Sequence, residues 1–100
     1  MYKFLMSTVV AGTMALATNV YAACGSISMA DMNWPSATLM ANVDKIILEE
    51  GYGCEIEMVA GATTTTFASM NEKGQPDVAA ELWINAVREP LFKAMDEGRL

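Results

Sequence analysis

Two tryptophans are the side chains of this 100-residue protein best suited to recognition chemistry, and there are only two. Trp34 lies in Asn33-Trp34-Pro35-Ser36 and Trp83 in Glu81-Leu82-Trp83. Each follows a stretch that reads as a strand, 26–29 before the first and 77–80 before the second. In an open α/β sheet, ligands bind outside the carboxyl ends of the strands. An indole face there attracts a diffuse cation by about 0.5–2 kcal/mol, more when dry. That mode of binding suits a cation with no N–H to donate, and several faces are needed to wrap it. Core burial is the competing role for a tryptophan in a small domain. For Trp83, near the end of a buried-looking strand, core and site compete closely. Trp34, flanked by Asn33 and Pro35, is less core-like. Asn33 and Ser36 are candidate polar contacts, set against the simpler roles of turn former and helix cap. Asp31 and Glu81 are acids that can lie near the same cleft; as isolated acids they read first as solvated or structural.

Other chemistries find little support. The chain has no histidine, which removes the commonest general base and the usual partner of a serine or cysteine nucleophile. It has no glycine-rich phosphate loop and no C-x-x-C pair, so no catalytic, metal or cofactor site is expected. The nine methionines read as apolar filler rather than metal ligands. Gly61-Ala62-Thr63-Thr64 opens a helix whose amides can meet an anion, but an ordinary loop explains it as well.

The first 22 residues read as a secretory signal peptide. Lys3 gives a weakly positive start, residues 4–17 are apolar and small, and Val20 and Ala22 suit a cleavage site. The apolar run is shorter than the ~20 residues that a spanning helix needs, so no stable membrane insertion is expected after cleavage. Residues 23–100 then hold five of the six Lys/Arg and all twelve Asp/Glu, a net charge of −7. An acidic surface repels phosphate backbones and argues against nucleic acid as a partner. Export also places Cys24 and Cys54 in an oxidising compartment, where pairing is favoured. Each opens an expected strand, and consecutive parallel strands are often neighbours. A bridge would close a loop of about 30 residues, worth ~3–4 kcal/mol. The alternative is a lipoprotein in which Cys24 is acylated.

These residues need a scaffold to position them. Ser26-Ile27-Ser28-Met29 alternates as a strand, with 30–33 leaving it as a loop. Ser36 is placed to cap a helix reaching Glu50, with Leu39, Met40, Val43, Ile46 and Ile47 on its apolar face. Gly51 suits the left-handed stop. Residues 54–59 form the second strand. A short helix carrying Phe67 and Met70 follows, and Lys73-Gly74-Gln75-Pro76 breaks it. Pro90 suits the first turn of a last helix through Met95, ended by Gly98. The order β-α-β-α-β-α implies an α/β fold with a parallel sheet and right-handed crossovers.

In this order the chain resembles the substrate-binding proteins of ABC importers for glycine betaine and related quaternary amines. The likeness rests on the export signal, Met32-Asn33-Trp34 after strand one and Leu48-Glu49-Glu50-Gly51-Tyr52-Gly53 before strand two. It continues with Gly74-Gln75-Pro76-Asp77-Val78 entering strand three and Glu81-Leu82-Trp83 leaving it. Each motif is weak alone; the ordered series is fairly specific.

The resemblance implies a periplasmic-binding-protein-like lobe, one of two that close like a hinge. It implies an aromatic box for the trimethylammonium head, with Trp34 and Trp83 at this lobe's two aromatic positions. It also implies polar groups from the other lobe for the ligand's carboxylate. Choline-binding relatives place a carboxylate near the first tryptophan; Pro35 and Ser36 stand after it here, which tilts the expectation toward betaines. Expected partners are the quaternary amine and the importer's permease and ATPase subunits, in a periplasmic role in osmoprotection. Members of that family are several times longer, so residues 23–100 are expected to be part of a first lobe, with the second lobe absent. A stand-alone exported interaction protein, or a truncated product that binds nothing, is the competing expectation.

Overall fold

The computed structural model describes residues 24–100; the expected signal peptide lies outside them. Three strands and three helices alternate: β1 (Ser26–Met32), α1 (Pro35–Tyr52), β2 (Glu55–Gly61), α2 (Thr63–Lys73), β3 (Val78–Ala79) and α3 (Ile84–Asp96). The sheet order is β2-β1-β3, and both pairings are parallel. The expected α/β lobe with a parallel sheet is therefore the observed fold.

β1 is the central strand and runs three residues further than its sequence suggests. Residues 30–32 carry no β-branched side chain and were expected as loop. Pairing with β2 holds them in the sheet, with Asp31 opposite Ala60 and Met32 opposite Gly61. β3 is only two residues long, and the polar residues before it fix its register. The Asp77 amide donates to the Ser28 carbonyl at 2.9 Å, and Asp77 Oδ2 accepts from the Ser28 amide and hydroxyl, both at 2.8 Å. Those bonds favour the charged carboxylate. The Ser28 amide foremost, then its hydroxyl, hold Asp77 below its ordinary pKa.

At the amino ends of β1 and β2 a disulfide joins Cys24 to Cys54, with Cα atoms 4.7 Å apart. The Glu55 amide donates to the Gly25 carbonyl at 2.8 Å beside it. A bridged Cys24 has no free sulfur to acylate.

The core differs from expectation. Leu39, Met40, Val43, Ile46 and Ile47 are 45–65 % exposed, whereas Ala37 and Ala41 are buried. The small residues let α1 approach the sheet closely, and the face used is the alanine face rather than the bulky one. Met29, Ala41, Cys54 and Ile56 form one buried cluster, and Ala30, Met32 and Ala37 form a second. α1 ends at Gly53, whose φ of 68° is the left-handed conformation that glycine adopts without a Cβ penalty. The stop is Gly53, not Gly51.

α3 starts at Ile84, six residues before Pro90, because its first turn precedes a break. Val87 leaves helical geometry at φ −132°, ψ 18°. The missing amide of Pro90 falls in the first turn after that break, where it costs no regular hydrogen bond.

Candidate functional site

Both tryptophans occupy the same structural position on neighbouring strands. Trp34 is the N-cap of α1, just past β1, and Trp83 is the N-cap of α3, beyond β3. Because β1 and β3 are adjacent and parallel, the two indoles meet at the carboxyl end of the sheet. Their ring centroids are 5.8 Å apart with planes at 65°, an edge-to-face pair.

The burial of the pair reverses the sequence expectation. Trp83 is 62 % exposed, which removes core burial as its role. Trp34 is half-buried and packs on Ala30, Met32 and Ala37, beside Ala79 and Leu82. It is anchored in the core at its base, whereas Trp83 stands free above the strand ends.

Pro35 explains why the helix starts at Trp34. Proline at the first helical position needs no amide and has the required φ. Ser36 is thus two residues too late to cap the helix. Its hydroxyl instead donates to Glu81 Oε1 at 3.2 Å. Asn33 is exposed and lines a shallow, open depression with Trp34, Pro35, Thr38, Leu39 and Asn42. A second open depression lies against Leu82, Trp83, Ile84, Asn85 and Ala86. A more enclosed cavity of about 130 Å³ lies elsewhere, against Val59, Ala60, Thr65, Thr66, Ser69 and Pro76. Its lining has neither an aromatic face nor a charge, so it is a poor match for a cation.

Glu81 is the residue that sequence reasoning underrated. Its Oε1 accepts from Trp83 Nε1 at 3.0 Å as well as from Ser36. Its Oε2 is buried without a hydrogen-bond partner, and so is Trp34 Nε1. The Trp83 N–H foremost, then the nearby Trp34 N–H and the Ser36 hydroxyl, hold Glu81 below its ordinary pKa. The Trp34 N–H therefore acts on the carboxylate electrostatically while falling short of hydrogen-bond geometry. The signal available in the sequence was the two-residue spacing of Glu81 and Trp83 at a strand end. Asp31, by contrast, is structural: Thr38 Oγ1 donates to its Oδ1 at 2.8 Å.

Among the described residues no cluster of His, Cys, Asp or Glu could hold a metal ion. No helix among them is long and apolar enough to cross a membrane. The arrangement offers aromatic faces backed by a carboxylate, which suits non-covalent capture of a cation.

Comparison with curated proteins gives no match. Residues 25–100 match the family model described as the substrate binding domain of ABC-type glycine betaine transport system.

Proposed function

The chain belongs to this family of substrate-binding domains, and from that premise we propose that it captures glycine betaine or a related quaternary amine for an ABC importer. The family's role is binding rather than catalysis, with a small-molecule ligand and transporter subunits as partners. Trp34 and Trp83 form this lobe's half of an aromatic box. The observation that carries the proposal is their pairing at 5.8 Å over the carboxyl ends of adjacent parallel strands. A quaternary ammonium offers no N–H, so recognition falls to ring faces rather than to hydrogen-bond acceptors. Asn33 lies beside the box as a polar contact, and Ser36 serves it through Glu81. An opposing lobe supplies further walls and the groups for the ligand's carboxylate. Residues 1–22 direct export to the periplasm, where the complex docks on the permease and its ATPase, in a role suited to osmoprotection.

Titration calorimetry of the folded, disulfide-bonded chain with glycine betaine, proline betaine and choline tests this reading. Binding heat with a betaine is the expected result. A folded sample that gives no heat with any of the three removes it. The exposed apolar stripe on α1 favours a second reading, an exported interaction protein, and that negative result would leave it standing.

A further inference from the structure

The tryptophan pair occupies an awkward electrostatic position for a cation. Each indole belongs to a helix N-cap, and a helix N-terminus carries roughly half a positive elementary charge. The start of α1 flanks the proposed box, whereas α3 is broken at Val87 after only three residues. α1 has no acidic residue in its first turn to offset that charge. Glu81 is the acid bonded to both Trp83 and the start of α1. It lies on the loop between β3 and α3, bonded to Trp83 Nε1 and to the Ser36 hydroxyl in the first turn of α1. Its second oxygen and the Trp34 N–H are the two buried polar side-chain atoms left without a partner among the described residues.

We propose that Glu81 is the positioning residue of the aromatic pair, gathering the two indole N–H edges on one carboxylate and supplying the negative charge that offsets the start of α1. The cation part of this inference rests on the quaternary-amine reading; the ring-holding part does not. A carboxylate on the N–H edge leaves the π faces available, and its charge adds to their negative potential. The hydrogen bonds that lower its pKa keep Glu81 ionised across the neutral range.

Two substitutions separate holding from charge. Glu81→Gln keeps the size and one acceptor oxygen but removes the charge; Glu81→Ala removes both. Because the chain has only two tryptophans, the indole band of its near-UV circular dichroism reports on this pair alone. Without ligand, Glu81→Ala is expected to lose about half of that band or more, with the far-UV spectrum unchanged. Glu81→Gln is expected to retain most of it. A wild-type indole band in folded Glu81→Ala overturns the positioning role.

The charge is tested by titrating tetramethylammonium, a net cation, and glycine betaine, a zwitterion. Glu81→Gln is expected to weaken tetramethylammonium by about tenfold and glycine betaine by about threefold or less. Equal affinities in Glu81→Gln and wild type overturn the charge role, and they decide the matter alone if Glu81→Ala does not fold. If the wild-type chain binds neither ligand, the proposed function fails, while the ligand-free spectra still decide whether Glu81 holds the rings.

Discussion

The two ends of β1 are built from different interactions. At its amino end the chain is fastened covalently to β2 through Cys24 and Cys54, and the Glu55–Gly25 hydrogen bond lies beside the bridge. At its carboxyl end side chains do the work: an edge-to-face indole pair, a shared carboxylate and a serine hydroxyl. The difference shows where a small domain can place exposed apolar and polar groups. A lobe with two small buried clusters has little stability to spare. A covalent link far from the ligand end stabilises the sheet without occupying the site. The carboxyl end is then free to leave Trp83 in solvent.

The strongest way to break this comparison is to cut the staple. Replacing both cysteines by serine is expected to lower unfolding stability by ~3–4 kcal/mol, measured by denaturant titration. A loss under about 1 kcal/mol would mean that the carboxyl end carries more of the fold than described.

Next in size are the tryptophans, which divide stability from binding within one site. Trp34→Ala, at a half-buried position, is expected to cost about 2 kcal/mol and to weaken quaternary-amine binding. Trp83→Ala is expected to cost less than about 1 kcal/mol while weakening binding to a similar degree. Unchanged affinity in both variants would remove the cation–π assignment. Equal stability losses would contradict the difference in burial.

A smaller effect separates the hydrogen-bonded carboxylates from the disulfide by pH. Asp77 and Glu81 both have folded pKa values below their ordinary ones. Their contributions are complete above the ordinary carboxylate range and are lost as pH falls through it toward the lower folded values. The melting temperature should therefore drop on acidification. Asp77→Asn and Glu81→Gln should each flatten that drop, whereas the disulfide contributes no titration of its own. Melting curves that decline identically in all three proteins would contradict this account.

The smallest effect is expected on the outer face of α1. Ile46→Lys should change stability by no more than about 0.5 kcal/mol, because Ile46 is 61 % exposed. A loss of several kcal/mol in the isolated chain would show that the stripe is covered in solution.

The element order was legible in the sequence because strand alternation, Gly and Pro breaks and helix periodicity coincide. The ends of elements were less legible, since neighbours decide them. β1 extends to Met32 through pairing with residues 29 positions away, which no local pattern encodes. The apolar stripe on α1 pointed to the wrong face because periodicity identifies a face but not what covers it. Pro35 encodes the start of α1, although Ser36 is the commoner capping residue type. The tryptophans were found because their placement after strands has a direct chemical meaning. Glu81 read, with Asp31, first as solvated or structural, because a lone acid looks the same whether it faces water or an indole N–H.

The position of Trp83 also implies a trade-off between stability and function. Tryptophan has no side-chain oxygen to accept the free amides at a helix start, and neither α1 nor α3 has a side-chain cap. Aspartate or serine at an N-cap typically contributes about 1 kcal/mol. At exposed Trp83 little packing would be lost in exchange, so Trp83→Asp is expected to yield a more stable α3 and a poorer binder. Selection for thermal stability alone should therefore erode this site first at Trp83, while Trp34, tied to the core, should resist replacement longer.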